Sequence, residues 1–160
     1  IVELSSYQLE YINKFRVSYF IILNIYSHHL NHHLNFNNYL SAKLKLINNL
    51  LCDDVLIIND KISLYLSDWN IKSKVFTFSS SLKASAYYDD NNLYYKTHQL
   101  SIENIEYFKY HFNKENFLSL FILLKELNIN NDVKSANKKT NVYFKTNFII
   151  TTYLTIISIT

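Results

Sequence analysis

A chain of 160 residues with 49% apolar and 18% charged side chains has single-domain length and enough apolar material for a core, which excludes a disordered tail. Gly, Pro and Met are all absent, so collagen-like repeats, proline-rich linkers and Gly-rich phosphate loops are excluded, and with them nucleotide binding through such a loop. The net charge of +3 is mild.

Asn, Ile, Tyr, Phe and Lys are used heavily while Arg occurs once, as Arg16, a bias from which an AT-rich, organellar genome is expected. Ile1 fits either a non-standard start codon or a trimmed chain. The lone Cys52 cannot form an internal disulfide, and no thiol cluster exists to hold zinc or an iron–sulfur centre. It is expected half-buried at a helix end. The apolar stretch at residues 148–159 is broken by Thr and Ser and is shorter than the roughly 20 residues of a membrane helix, so no membrane span is expected. Residues 1–18 carry Glu3 and Glu10 and lack the character of a transit peptide.

Without Gly or Pro, turns fall to Asn, Asp and Ser, whose short side chains bond the local backbone. Clusters of these residues at 53–54, 59–60, 68–70, 89–92 and 128–132 punctuate the chain. The β-branched and aromatic run at residues 19–26 predicts a strand. Phe36, Leu40, Leu44, Ile47 and Leu51 then recur every three to four residues, which predicts a helix from Leu30 onward. Strands are expected at residues 55–58, 62–67, 75–78 and 93–102, the second of these from the alternation of Ile62, Leu64 and Leu66 with Ser63, Tyr65 and Ser67. Phe117, Phe121, Leu124 and Leu127 restore helical spacing, with Lys114 and Glu115 at the start and Asn128 beyond the end. The tail from Asn141 favours β structure. The order of strand, helix, strand, strand, helix, strand predicts an α+β, ferredoxin-like split β-α-β fold, an antiparallel sheet with two helices on one face.

His28, His29, His32 and His33 form i, i+4 pairs on a helix, a spacing that can hold a metal. No carboxylate or thiol lies near them in sequence, so a solvated helix start or a nucleic-acid contact is expected, with no metal and no cofactor. Ser and Thr are scattered, and His98 and His111 lack motif context, so no nucleophile–base arrangement is legible and no enzyme is expected. Residues 69–88 carry Lys72, Lys74 and Lys83 without an acid, and residues 133–160 carry Lys134, Lys138, Lys139 and Lys145 without one. Such one-signed segments beside Tyr and Phe suit phosphates and stacked bases.

Five strings resemble the small-subunit ribosomal protein ten family, also called the NusE family. Ile25-Tyr26-Ser27-His28-His29-Leu30 is similar to its Ala-Phe-Asp-His-Arg-Leu, and Ile62-Ser63-Leu64-Tyr65-Leu66-Ser67 to its Ile-Pro-Leu-Pro-Thr. Phe76-Thr77-Phe78 with Ser81 resembles Phe-Thr-Val-x-x-Ser, Leu93-Tyr94-Tyr95-Lys96-Thr97-His98 resembles Phe-Glu-Ile-Arg-Thr-His, and Leu124-Lys125-Glu126-Leu127-Asn128-Ile129 resembles Leu-Met-Lys-Leu-Asp-Leu. The resemblance covers residues 19–136 and implies a ferredoxin-like body there with an extended β-hairpin arm at about 59–96, an N-terminal extension at 1–18 and a C-terminal extension at 137–160, in a structural constituent of the small-subunit head of a mitochondrial ribosome. Its partners would be the 3′ domain of the small-subunit RNA and head proteins of families three, nine and fourteen. His28, His29, Lys74, Thr77, Ser81, Lys83, Lys96, Thr97 and His98 would contact RNA. The second reading is an accessory subunit of an organellar respiratory membrane complex, and the third a His-rich metal-binding enzyme.

Overall fold

A computed structural model of the chain describes residues 2–129 and 155–157. It starts with β1 (Val2–Glu3), α1 (Ser6–Glu10), β2 (Tyr19–Ile22), α2 (Leu30–His33), α3 (Phe36–Leu44), β3 (Val55–Asn59) and α4 (Asp60–Ser63). There follow β4 (Lys74–Ser79), β5 (Ala86–Asp89), β6 (Asn92–Tyr95), β7 (His98–Ser101), α5 (His111–Glu126) and β8 (Thr155–Ile157). These strands make one sheet in the order β1-β8-β2-β3-β4-β5-β6-β7. β2, β3, β4 and β5 run parallel, β5 to β7 form an antiparallel meander, and β8 lies antiparallel to both β1 and β2.

Burial explains the parallel block. All five residues of β3 are buried, and successive side chains of a strand point to opposite faces, so β3 needs a cover on each side. On one face Leu56 and Ile58 pack with Phe20 and Ile22 against Leu9 of α1, Leu44 of α3, Ile47 and Ile62 of α4. On the other, Val55 and Ile57 pack with Ile21, Phe78 and Ala86 against Phe117, Leu118, Phe121 and Ile122 of α5. Helices cover both faces, which makes a three-layer α/β fold.

The expected ferredoxin-like α+β fold is therefore overturned, because its antiparallel sheet carries helices on one face only. Two segments differ locally from the expected strands. Asp60–Ser63 is helical and Leu64–Leu66 a 3-10 turn, with Ile62 and Leu66 buried and Leu64 79% exposed, so the core spacing is four rather than two. The N-cap is Asn59, whose Oδ1 accepts from the Lys61 N–H at 3.0 Å. Residues 93–102 are not one strand but β6 and β7, joined by a two-residue turn at Lys96 and Thr97 with Lys96 left-handed at φ 52°. The extended hairpin is likewise replaced: residues 59–96 run through α4, β4, β5 and β6 within the sheet. Cys52 is exposed, not half-buried. No helix among the described residues is long and apolar enough to cross a membrane. Apart from β8, the tail from Asn141 lies outside the described residues.

With no Gly in the chain, other residues occupy the left-handed turn positions. Asp90, Asn104 and Asn128 suit them, since short polar side chains tolerate positive φ. Leu34 does not. It ends α2 at φ 67°, ψ −37° with its side chain 80% exposed, so it carries the steric cost without a packing return. Leu34→Gly keeps the N–H bond to the Leu30 carbonyl at 2.8 Å and is expected to stabilise the fold by about 1 kcal/mol. Thermal denaturation checks this as a rise of about 3 °C in midpoint; an unchanged or lower midpoint would show that the turn is unstrained.

Candidate functional site

In open parallel sheets, ligands bind outside the carboxyl ends of the strands, where the strand order reverses. Here the parallel block stops at β2, whose other neighbour is antiparallel β8. Glu3 and Ile21 both pair with Thr155, so β1 and β2 end level and α1 leaves from that edge. Ser5 caps α1: its Oγ accepts from the Gln8 N–H at 3.3 Å, and its own N–H donates to Gln8 Oε1 at 2.9 Å. Beyond β2, residues 23–29 lead to α2, entered through left-handed His29.

These connections gather a polar cluster beside the carboxyl edge. His33, only 4% exposed, places Nε2 3.0 Å from Ser6 Oγ. His32 Nε2 lies 2.6 Å from Glu10 Oε2. The Tyr7 ring meets the rings of His29, His32 and His33, with centroids 5.1, 4.6 and 5.7 Å away. His33 packs edge-on to Tyr39 in turn, and Lys43 Nζ stands 5.8 Å from the Tyr39 centroid. Burial lowers the pKa of His33, and neighbouring His32 adds to this, so the ring is neutral at neutral pH. The hydrogen bond with His32 holds Glu10 below the usual carboxylate range. Lys43, also 4% exposed, has its pKa lowered by burial, with the Glu3 carboxylate working against the shift. An amine placed in this way can hold an anionic group, which favours its charged form, or act in its neutral form as a base or nucleophile.

Of the residues expected to bind RNA, only His28 and His29 lie here, both exposed. Thr77 and Ser85 exchange backbone-to-hydroxyl bonds of 3.1 and 3.0 Å, while Ser81 donates its N–H to Ser79 Oγ and accepts from the Lys83 N–H. These hydroxyls close the β4–β5 loop. Lys74 opens β4, and His98 opens β7 after the Lys96-Thr97 turn, with three strands between β6 and β2. Lys96 Nζ lies 2.6 Å from Glu126 Oε1, which also accepts from the Tyr95 hydroxyl at 2.7 Å. Lys96 also stands over the Phe76 and Tyr95 rings at 4.9 and 5.0 Å. The lysine that was to meet phosphate is thus committed to a carboxylate. Glu3, Ser6, Glu10, Tyr39 and Lys43 escaped the sequence reading. One signal was present: Tyr39, Lys43 and Ile47 recur every four residues and are all buried, a lysine inside a core stripe.

A helix-covered parallel sheet with a partly buried ionisable cluster at its carboxyl edge defines an α/β domain whose candidate site lies at that edge. The family model of the Mur ligase middle domain matches residues 1–142, and the chain belongs to that family. That match takes in the expected 1–18 extension and the first residues of 137–160. A UDP-N-acetylmuramoylalanine--D-glutamate ligase of Macrococcus caseolyticus is 46% identical over 96 residues, 59% of this chain and 22% of that protein. The ligase of the same name in Oceanobacillus iheyensis is 33% identical over 129 residues, 78% of this chain and 28% of its own length. That of Streptococcus agalactiae is 33% identical over 137 residues, 83% of this chain and 30% of its own length. The chain therefore spans under a third of these relatives.

These findings overturn the ribosomal expectation. The chain is not a member of the small-subunit ribosomal protein ten family, and its relatives are bacterial ligases rather than mitochondrial ribosomal or respiratory-complex subunits. The ribosomal RNA partner, the head-protein partners and the expectation of no enzyme fall with it. The five strings were short, and two of them lie on elements of the wrong type: Ile62–Ser67 is mainly helical and Lys96-Thr97 is a turn.

Proposed function

We propose that the chain is the middle-domain part of an enzyme that joins D-glutamate to UDP-N-acetylmuramoylalanine. The observation that carries this is the 46% identity to a ligase of that name across the stretch of this chain that it matches. In this reading the bond formed is an amide between the alanine carboxyl and the glutamate amine, and the carboxyl oxygen leaves as phosphate after a phosphoryl group from ATP has activated it. The carboxyl-edge cluster holds the anionic substrate groups, with Lys43 as the cation whose burial makes an anion most welcome. The chain has no Gly, so a Gly-rich phosphate cradle is not part of these residues.

The test is a chimera in which residues 1–142 replace the matching segment of the Oceanobacillus iheyensis ligase. Labelled D-glutamate incorporated into UDP-N-acetylmuramoylalanine is the readout. Activity within about tenfold of the parent supports the proposal, and a folded chimera that incorporates no glutamate overturns it.

A further inference from the structure

Three side chains that sequence spacing could not bring together meet between α1 and α2. Glu10 is the last residue of α1, 22 positions before His32. Its backbone is fixed by the Lys45 ammonium, which donates to the Glu10 carbonyl at 2.5 Å. α2 is a single turn, entered through left-handed His29 and left through Leu34, so His32 and His33 stand on consecutive positions with their rings edge-on, centroids 4.7 Å apart. One ligand atom from each of Glu10, His32 and His33 can be chosen so that all lie within 4.8 Å of one another.

We propose that Glu10, His32 and His33 form a binding site for a zinc-type divalent cation, pinning α1 to α2. Two imidazoles and one carboxylate are the donor set of three-ligand zinc sites that leave a fourth position to water. Magnesium and calcium prefer all-oxygen shells. Ser6 Oγ, 3.0 Å from His33 Nε2, supplies the outer bond that orients a ligating imidazole. The His32 and Glu10 side chains are 35% and 40% exposed, which leaves a route for the ion from solvent. On binding, the ion would take the place of the 2.6 Å His32–Glu10 contact. This inference is independent of the ligase reading, because the site needs only the α1–α2 packing.

Equilibrium dialysis of the full chain against ZnCl2, with MgCl2 as the comparison, tests it. The expected result is one zinc per chain at micromolar free metal, no magnesium at the same level, and a visible absorption band with Co2+ that reports low-symmetry coordination. His32→Ala and Glu10→Gln each weaken zinc binding at least tenfold, while His28→Ala and His98→Ala do not; circular dichroism confirms that all four variants are folded. Absence of stoichiometric zinc overturns the proposal. So does equal weakening by His28→Ala, which would mark nonspecific capture by surface histidines.

Discussion

Lys43→Met is expected to lower turnover of the chimeric ligase by about 100-fold while leaving the domain as stable as before or more so. The two effects separate because Lys43 is costly where it sits. It is 4% exposed, burial depresses its pKa, and the nearby carboxylate of Glu3 offsets this only in part. Methionine fills a similar volume with no charge to desolvate, and replacing buried charge by apolar volume is commonly neutral or stabilising by about 1 kcal/mol or more. The sign of the pH dependence follows. The folded-state pKa of Lys43 lies below the unfolded value of about 10.4, so the unfolded chain binds more protons between the two, and stability contributed by this group rises with pH across that window. Lys43→Met should flatten that alkaline rise. Urea titrations from pH 7 to 10 combined with the glutamate-incorporation assay measure both. A variant that loses stability and activity together would make Lys43 a packing residue rather than part of the site.

What was legible in the sequence was local, and what was not was long-range. The helix expected from Leu30 onward, the 55–58 strand and the helix through Phe117 and Phe121 follow from period and turn residues; the structure has the last two and divides the first into α2, α3 and a 3-10 turn at Lys45–Asn49, with a break at Leu34 and Asn35. Asn and Asp stand at turns and caps as expected, with Asp90 in the β5–β6 turn and Asn128 just beyond α5. Strand partners were not legible. A buried run such as Val55–Asn59 reads alike in a parallel or an antiparallel sheet, and only the two covering layers, assembled from residues as distant as Leu9 and Phe117, decide between them. The cluster at the carboxyl edge was not legible for the same reason. The four histidines were visible, but the carboxylate that faces them arrives from α1, and Lys43 was masked by the apolar stripe around it.

Asp54→Ala is expected to destabilise the domain by about 2–3 kcal/mol. Asp54 is 1% exposed and stands just before β3. Its two carboxylate oxygens accept from Arg16 Nε and Nη2 at 2.8 and 2.9 Å, and Oδ2 also accepts from the Leu51 N–H at 2.7 Å. Its backbone accepts from the Lys74 N–H at 3.0 Å, and the next residue, Val55, donates to the Ser18 carbonyl at 2.9 Å. The carboxylate thus fastens the approaches to β2 and β3, while the backbone of the same residue ties in the start of β4. Burial alone would raise its pKa, but the bonds from Arg16 and from the Leu51 N–H outweigh that and hold it below the ordinary value. A carboxyl with a depressed folded-state pKa contributes stability that is present above the unfolded value, near 3.9, and lost as pH falls through the folded value. The gap between the native chain and Asp54→Asn, which keeps the shape and removes the charge, should therefore be full at pH 7 and close below about pH 4. Urea denaturation at pH 7, 5, 4 and 3 reads that gap directly. A gap that stays constant over this range would mean that the carboxylate acts through shape and neutral hydrogen bonds alone, and that its charge has no part in fastening the approaches to β2 and β3.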